Sequence, residues 1–202
     1  MEVDLLESCN DAAEEAASRD RARAHLSSRV AVTVAILATF LGICKVKDDN
    51  IVQAMQQAQA DRLDHWTFYQ ARNIRQELAA STAAQLKLAA AAAPAAQQVA
   101  YHDAIATYER MAAEQAPKKE EVRLQAEHDQ VAYDALNFRD DQFDLSDALI
   151  ALAISLLAVT ALTHKAWLYW IAFVPTIGGI VMGLAGLFGW HLHPQTFTQL
   201  LS

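Results

Sequence analysis

Three stretches of this chain hold most of its bulky aliphatic side chains and no charged ones. They are "VAVTVAILATFLGIC" from Val30 to Cys44, "ALIALAISLLAVTALT" from Ala148 to Thr163 and "AWLYWIAFVPTIGGIVMGLAGLFGW" from Ala166 to Trp190. An uncharged apolar run approaching ~20 residues is what a helix needs to cross a bilayer. The third run meets that length alone, and Trp167, Tyr169 and Trp170 at one end and Trp190 at the other fall where aromatic side chains line a membrane interface. The first two are shorter. Arg29, Lys45 and Lys47 flank the first and can lay their aliphatic stems along lipid while their charges reach the headgroups. Only "HK" separates the second run from the third, so the two predict a tight helical hairpin.

The opening segment "MEVDLLESCNDAAEEAASRD" is acidic and polar, unlike the basic stretch and short apolar core of a secretory signal, so the first run reads as a retained anchor. Between the first and second runs lies a segment without glycine, dominated by Ala, Gln, Glu, Arg and Leu. These are strong helix formers, and only Pro94 and Pro117 interrupt them. Because the segment leaves and re-enters at one membrane face, it must fold back as a helical hairpin or small coiled-coil-like bundle. Its predicted core is Val52, Met55, Leu63, Trp66, Ile74 and Leu78 on the outgoing helix and Tyr101, Ile105, Tyr108 and Ala112 on the middle one. On the return, Leu124, Val131, Phe138 and Leu145 recur every seven residues beside a second stripe of Val122, Tyr133, Leu136 and Phe143.

The chain is therefore predicted to be an all-α integral membrane protein. A polar tail spans 1–27 and a first transmembrane helix 28–46. A soluble helical insert spans 47–146, with breaks near 94 and 117. Transmembrane helices over 147–164 and 166–191 and a tail over 192–202 complete it.

Charge and motifs exclude several function classes. A formal net charge of −8 disfavours nucleic acid, whose phosphates require concentrated Lys and Arg. No phosphate loop, nucleophile elbow, zinc-protease motif or Cys-x-x-Cys pair occurs, and Cys9 and Cys44 have no metal-ligand spacing. No catalytic residue, cofactor or metal is assigned. The apolar runs lack an ionisable group of the kind that ion-coupled transport uses at depth.

What remains points to contact surfaces. Gly178, Gly179, Gly183, Gly186 and Gly189 recur at short helical steps in the third run, with Gly179 and Gly183 forming a GxxxG pair. Packing on the second run, where Ala151, Ser155 and Ala158 offer small residues, is the first expectation, and self-association the second. At the membrane face, Lys45, Lys47, Asp48, Asp49 and Asn50 come near Arg139, Asp140, Asp141, Asp144 and Asp147, with His191 and His193 at the same level. That collar reads as mixed-charge pairing first and as a cation site second. Asp61 and His65 form a similar weak pair, and Trp66, Phe68 and Tyr69 are the insert's candidate aromatic contacts.

Through "VAVTVAILATFLGICKVKDDNIVQAMQQAQADRLDHWTFYQARNIRQ" the chain resembles an uncharacterised bacterial membrane family, domain of unknown function 4337. The Lys-Val-Lys-Asp-Asp-Asn junction and the Trp-x-x-Tyr-Gln-Ala stretch are its most specific parts. The resemblance implies a bacterial cell-membrane protein with an anchor, a helical insert and a C-terminal hairpin, and carries no activity with it.

The expected function is a non-enzymatic, oligomeric, membrane-anchored scaffold or interaction protein. Its expected partners are the lipid bilayer and either a second copy or another membrane protein. A channel or transporter component built from oligomerised spans is the alternative. Arg19, Arg21, Arg23, Arg29 and Lys165 outnumber Lys45, Lys47 and Arg139 near the spans, which places the N-terminus in the cytoplasm and the insert outside an inner membrane.

Overall fold

The computed structural model describes residues 2–190 and 192, with side chains from residue 14 onward. Every element among them is helical. Helix α1 runs Glu2–Ala91, a 3-10 turn follows at Ala95–Gln97, α2 runs Gln98–Thr163 and α3 runs Ala166–Phe188. All three helices contain a window long and apolar enough to cross a membrane. Cys9, within α1, His191 and His193 have no described side chains.

Two expected boundaries are absent. The polar segment before residue 28 continues α1 without a break, supported by exposed pairs such as Arg19–Glu15 at 2.8 Å. Pro94 does end the outgoing helix, but Pro117 sits inside an unbroken α2. A proline removes one intrahelical hydrogen bond and crowds the carbonyl four residues earlier. Here it lies on an exposed position, where water can take that carbonyl and the helix can bend away.

The chain divides into two compact units, one built from residues up to Ile51 and from Phe138 on, the other from Val52–Asn137. In the first, α1 buries Val30, Leu37, Cys44, Asp48 and Ile51, with Val34 and Leu41 half-buried between them. These steps of three and four keep one face inward. Val30 and Leu37 join Ile150, Ala153 and Leu157 of α2 and Ala172 of α3 in one apolar core. Val32, Ile36, Ile43, Trp170, Val174 and Ile177 point outward instead. An apolar exterior around an apolar interior is what a lipid-solvated helix group requires. The hairpin turn is closed by His164, whose φ of 54° lets its N–H reach Thr160 O at 2.9 Å. The left-handed conformation is uncommon for a residue with a side chain, and His is among those that adopt it most often.

In the second unit the outgoing part of α1 and the first part of α2 pair antiparallel. Both place their less exposed residues at alternating steps of three and four, the spacing of a coiled-coil seam. The seam on α1 runs through Met55, Arg62, His65, Tyr69, Arg72 and Gln76 to Ala79 and Ala83; that on α2 includes Tyr101, Ile105, Tyr108, Ala112, Val122 and Ala126. Expected core and observed core differ here. Leu63, Ile74 and Leu78 of α1 and Leu124 and Val131 of α2 are more than half exposed. Polar seam residues bond across the pair instead: Arg62 with Gln130, His65 Nδ1 with Asp129 Oδ2 at 2.6 Å, and Lys119 Nζ with Asn73 Oδ1 at 3.0 Å. Such bonds fix register, because a slipped pairing would leave buried donors unmatched.

Candidate functional site

The junction Lys45–Asn50 belongs to the first unit. Asp48 occupies a step of α1's inward row, between Cys44 and Ile51, and is only 3% exposed. Lys45 Nζ donates to Asp48 Oδ2 at 2.7 Å and lies 3.8 Å from Asp49 Oδ1. Lys47, Asp49 and Asn50 are exposed, and Asn50 Nδ2 donates to Val46 O at 2.8 Å, so it serves its own helix.

From α2, Asp140 stands near Asp48, and Asp144 and Asp147 follow on the same helix. Burial first, then the neighbouring carboxylates of Asp48, Asp144 and Asp141 push the Asp140 pKa up to about 6. Asp144 is raised as well, by burial and then by Asp48, with Lys45 opposing. Asp48 Oδ1 and Asp147 Oδ1 are buried with no further partner among the described residues. Arg139 does not neutralise this cluster. Its Nε and Nη2 donate to Gly186 O at 3.3 and 2.9 Å, while Gln142 Nε2 donates to Trp190 O and Leu192 O at 2.7 and 2.8 Å. Arg139 thus takes a carbonyl in the last turn of α3, and Gln142 holds the segment just beyond it. Among the described residues no three His, Cys, Asp or Glu side chains are arranged to hold a metal ion.

The glycines of α3 are points of close approach within the unit. A Cβ on Gly179 would stand 2.6 Å from Ile150 Cγ1 and 3.2 Å from both Ile150 N and Ser146 O. At Gly183 it would meet the Phe40 ring and Ser146 Oγ, each at 2.8 Å, and at Gly186 the Phe143 ring. Gly178 faces the tip of Leu149, while Gly189 has φ 69° and caps the helix in the left-handed region that favours glycine. Ala151, Ser155 and Ala158 are exposed and take no part in this contact; Ser155 Oγ bonds its own helix at Ala151 O. Large side chains of α1 and α2 fill the glycine groove, and Ser146 Oγ donates to Gly179 O at 2.8 Å across it.

A family described as a domain of unknown function (DUF4337) matches residues 26–189, well over half of the sequence and all three apolar segments. The chain belongs to that family. Neither a curated protein nor a solved structure matches it. The family match begins within α1 and ends at the cap of α3, so it takes in the Asp48 and Asp140 pair and the glycine contacts alike.

The insert's expected contact residues separate. Trp66 and Tyr69 are half-buried and meet edge to face with centroids 5.4 Å apart, and Lys119 Nζ stands 5.8 Å from the Tyr69 ring centre. Phe68 alone of the three is largely exposed. Asp61 and His65 do not act together: Asp61 accepts from Gln57, and His65 turns to Asp129 of α2. Sequence reasoning missed Asp129 as the partner of His65 and the burial of Asp48 beside Asp140, because both depend on a register that no local pattern states. It also missed Phe40 and Phe143 as partners of the glycines, whose missing side chains leave room for large rings as well as for a close backbone.

Proposed function

We propose that this protein is a non-enzymatic, membrane-anchored helical scaffold whose insert is held outside the lipid to engage a protein partner. The observation that carries this reading is the inverted chemistry of the second unit. Charged and amide side chains occupy the α1 seam, and Leu63, Ile74, Leu78 and Leu88 face outward from that helix. In water such a face is a liability unless something covers it. The three apolar helices supply the anchor, and their flanking Arg and Lys residues favour a cytoplasmic N-terminus with the insert across a bacterial inner membrane.

Chemical crosslinking of the full chain in native membranes tests the proposal. Discrete higher-mass adducts are expected, and a strictly monomeric species under conditions that crosslink a control oligomer would count against it. A channel or transporter component is the second reading, favoured by the carboxyl cluster of Asp48, Asp140, Asp144 and Asp147 beside the apolar segments. Cation or proton flux into liposomes, abolished by Asp48→Asn, would move the assignment to it.

A further inference from the structure

We infer that the outer face of α1 in the insert is a self-association surface, and that its occupant is the same face of a second copy of this chain. This rests on the scaffold reading above and names its partner. Ala60, Thr67, Ile74, Ser81 and Leu88 recur at every seventh residue on the side away from the α2 seam, and all five are exposed. None carries a charge. In a hairpin that meets only water, these outermost positions are where Lys and Glu are expected. On α2 the exposed Glu114, Glu121, Glu127 and Asp134 flank an outer row that includes Leu124 and Val131. The outer row of α1 is longer, five uncharged positions over four heptads.

A second copy fits this face. Copies inserted in one bilayer share one orientation, so their α1 helices meet parallel and each residue faces its own equivalent. Ile74 then meets Ile74 and Leu88 meets Leu88, while Thr67 and Ser81 pair hydroxyl with hydroxyl. In that register Leu63 lies beside the second copy's Phe68, and both are more than half exposed in the single chain. Gln70 falls beside Arg75 and Glu77 beside Thr82, and the one repelling contact is Asp64 with its own equivalent.

Leu63, Phe68, Ile74, Leu78 and Leu88 each offer roughly 100 Å² of apolar surface. With the small residues between them, the stripe reaches about 600 Å² per partner, the low end of specific interfaces. Confinement to a membrane raises the effective concentration further. A lipid surface is the poorer occupant, since helices that lie on anionic lipid are flanked by Lys and Arg, and this stripe is flanked by Asp61, Asp64 and Glu77 against Arg75.

The test places a photoreactive p-benzoylphenylalanine at Ile74 or, as control, at Val131 of the full chain in native membranes. Irradiation is expected to give, from position 74, an adduct of twice the monomer mass containing only this chain, at least ten times the yield from position 131. The double variant Leu63→Glu, Leu78→Glu should cut that yield at least ten-fold with helicity unchanged. Asp64, which meets its own equivalent in this register, should repel, so Asp64→Ala should raise the yield about two-fold. Equal yields from 74 and 131, an adduct that survives the double variant, or no gain on Asp64→Ala would overturn the inference. An adduct from 74 to a different protein would overturn it while leaving the scaffold reading intact. No protein adduct from either position would remove both.

Discussion

Replacing Gly179 with alanine adds one methyl group at the tightest contact between α2 and α3. Its Cβ would come 2.6 Å from Ile150 Cγ1 and 3.2 Å from two backbone atoms, Ile150 N and Ser146 O. A side-chain rotation can relieve the first contact, but only a shift of one helix can relieve the others. Overpacking of this kind costs ~1–3 kcal/mol, and the shift also strains the Ser146–Gly179 hydrogen bond, worth ~1 kcal/mol. Alanine's better helix propensity returns ~1 kcal/mol. The net loss should be ~1–3 kcal/mol, a change of ~5-fold to ~150-fold in the unfolding equilibrium. Gly42→Ala is the control, because a Cβ there meets nothing within 4 Å, and its expected effect is a gain of up to ~1 kcal/mol. Denaturant titration of the purified chain in detergent, followed by helical circular dichroism, measures both. If Gly179→Ala proved as stable as Gly42→Ala, the close packing of α3 on α2 would be wrong.

The buried Asp140 carboxyl predicts a pH dependence with a definite sign. Because Asp140 holds its proton up to about 6, above the usual ~4 of a free carboxyl, the folded chain binds more protons than the unfolded chain between those values. Stability should therefore fall as pH rises through that window, and thermal melts of Asp140→Asn should lose much of that slope. Phe143 is 1% exposed and packs its ring against Gly186, so Phe143→Ala should cost ~3–5 kcal/mol in the same denaturant titration.

The helices that carry the apolar segments and the fold-back near Pro94 were legible in the sequence because each depends on composition over a local window. The two-residue hairpin turn at His164 and Lys165 was legible for the same reason. The insert's core was not. Leu63, Ile74 and Leu78 look like a core to any hydrophobicity argument, yet the seam runs through Arg62, His65, Arg72 and Gln76, whose partners lie tens of residues away in α2. Two faces of α1 share the same repeat of three and four, and periodicity alone cannot choose between them. Pro117 misled for a simpler reason: a proline's cost depends on whether its helix face is open, which is a tertiary property. The collar was foreseen as Lys and Asp pairing, and Lys45 does hold Asp48. Placing Asp140 against that same carboxylate needed the fold.

Everything proposed for the outer surfaces assumes that Val32, Ile36, Trp170, Val174 and Ile177, exposed on the first unit, are solvated by acyl chains. Alkaline carbonate extraction of native membranes tests that directly, since it strips peripheral proteins and leaves inserted helices behind. The chain is predicted to remain in the pellet together with a known integral protein. Recovery of folded, dispersed chain in the aqueous supernatant would contradict the account.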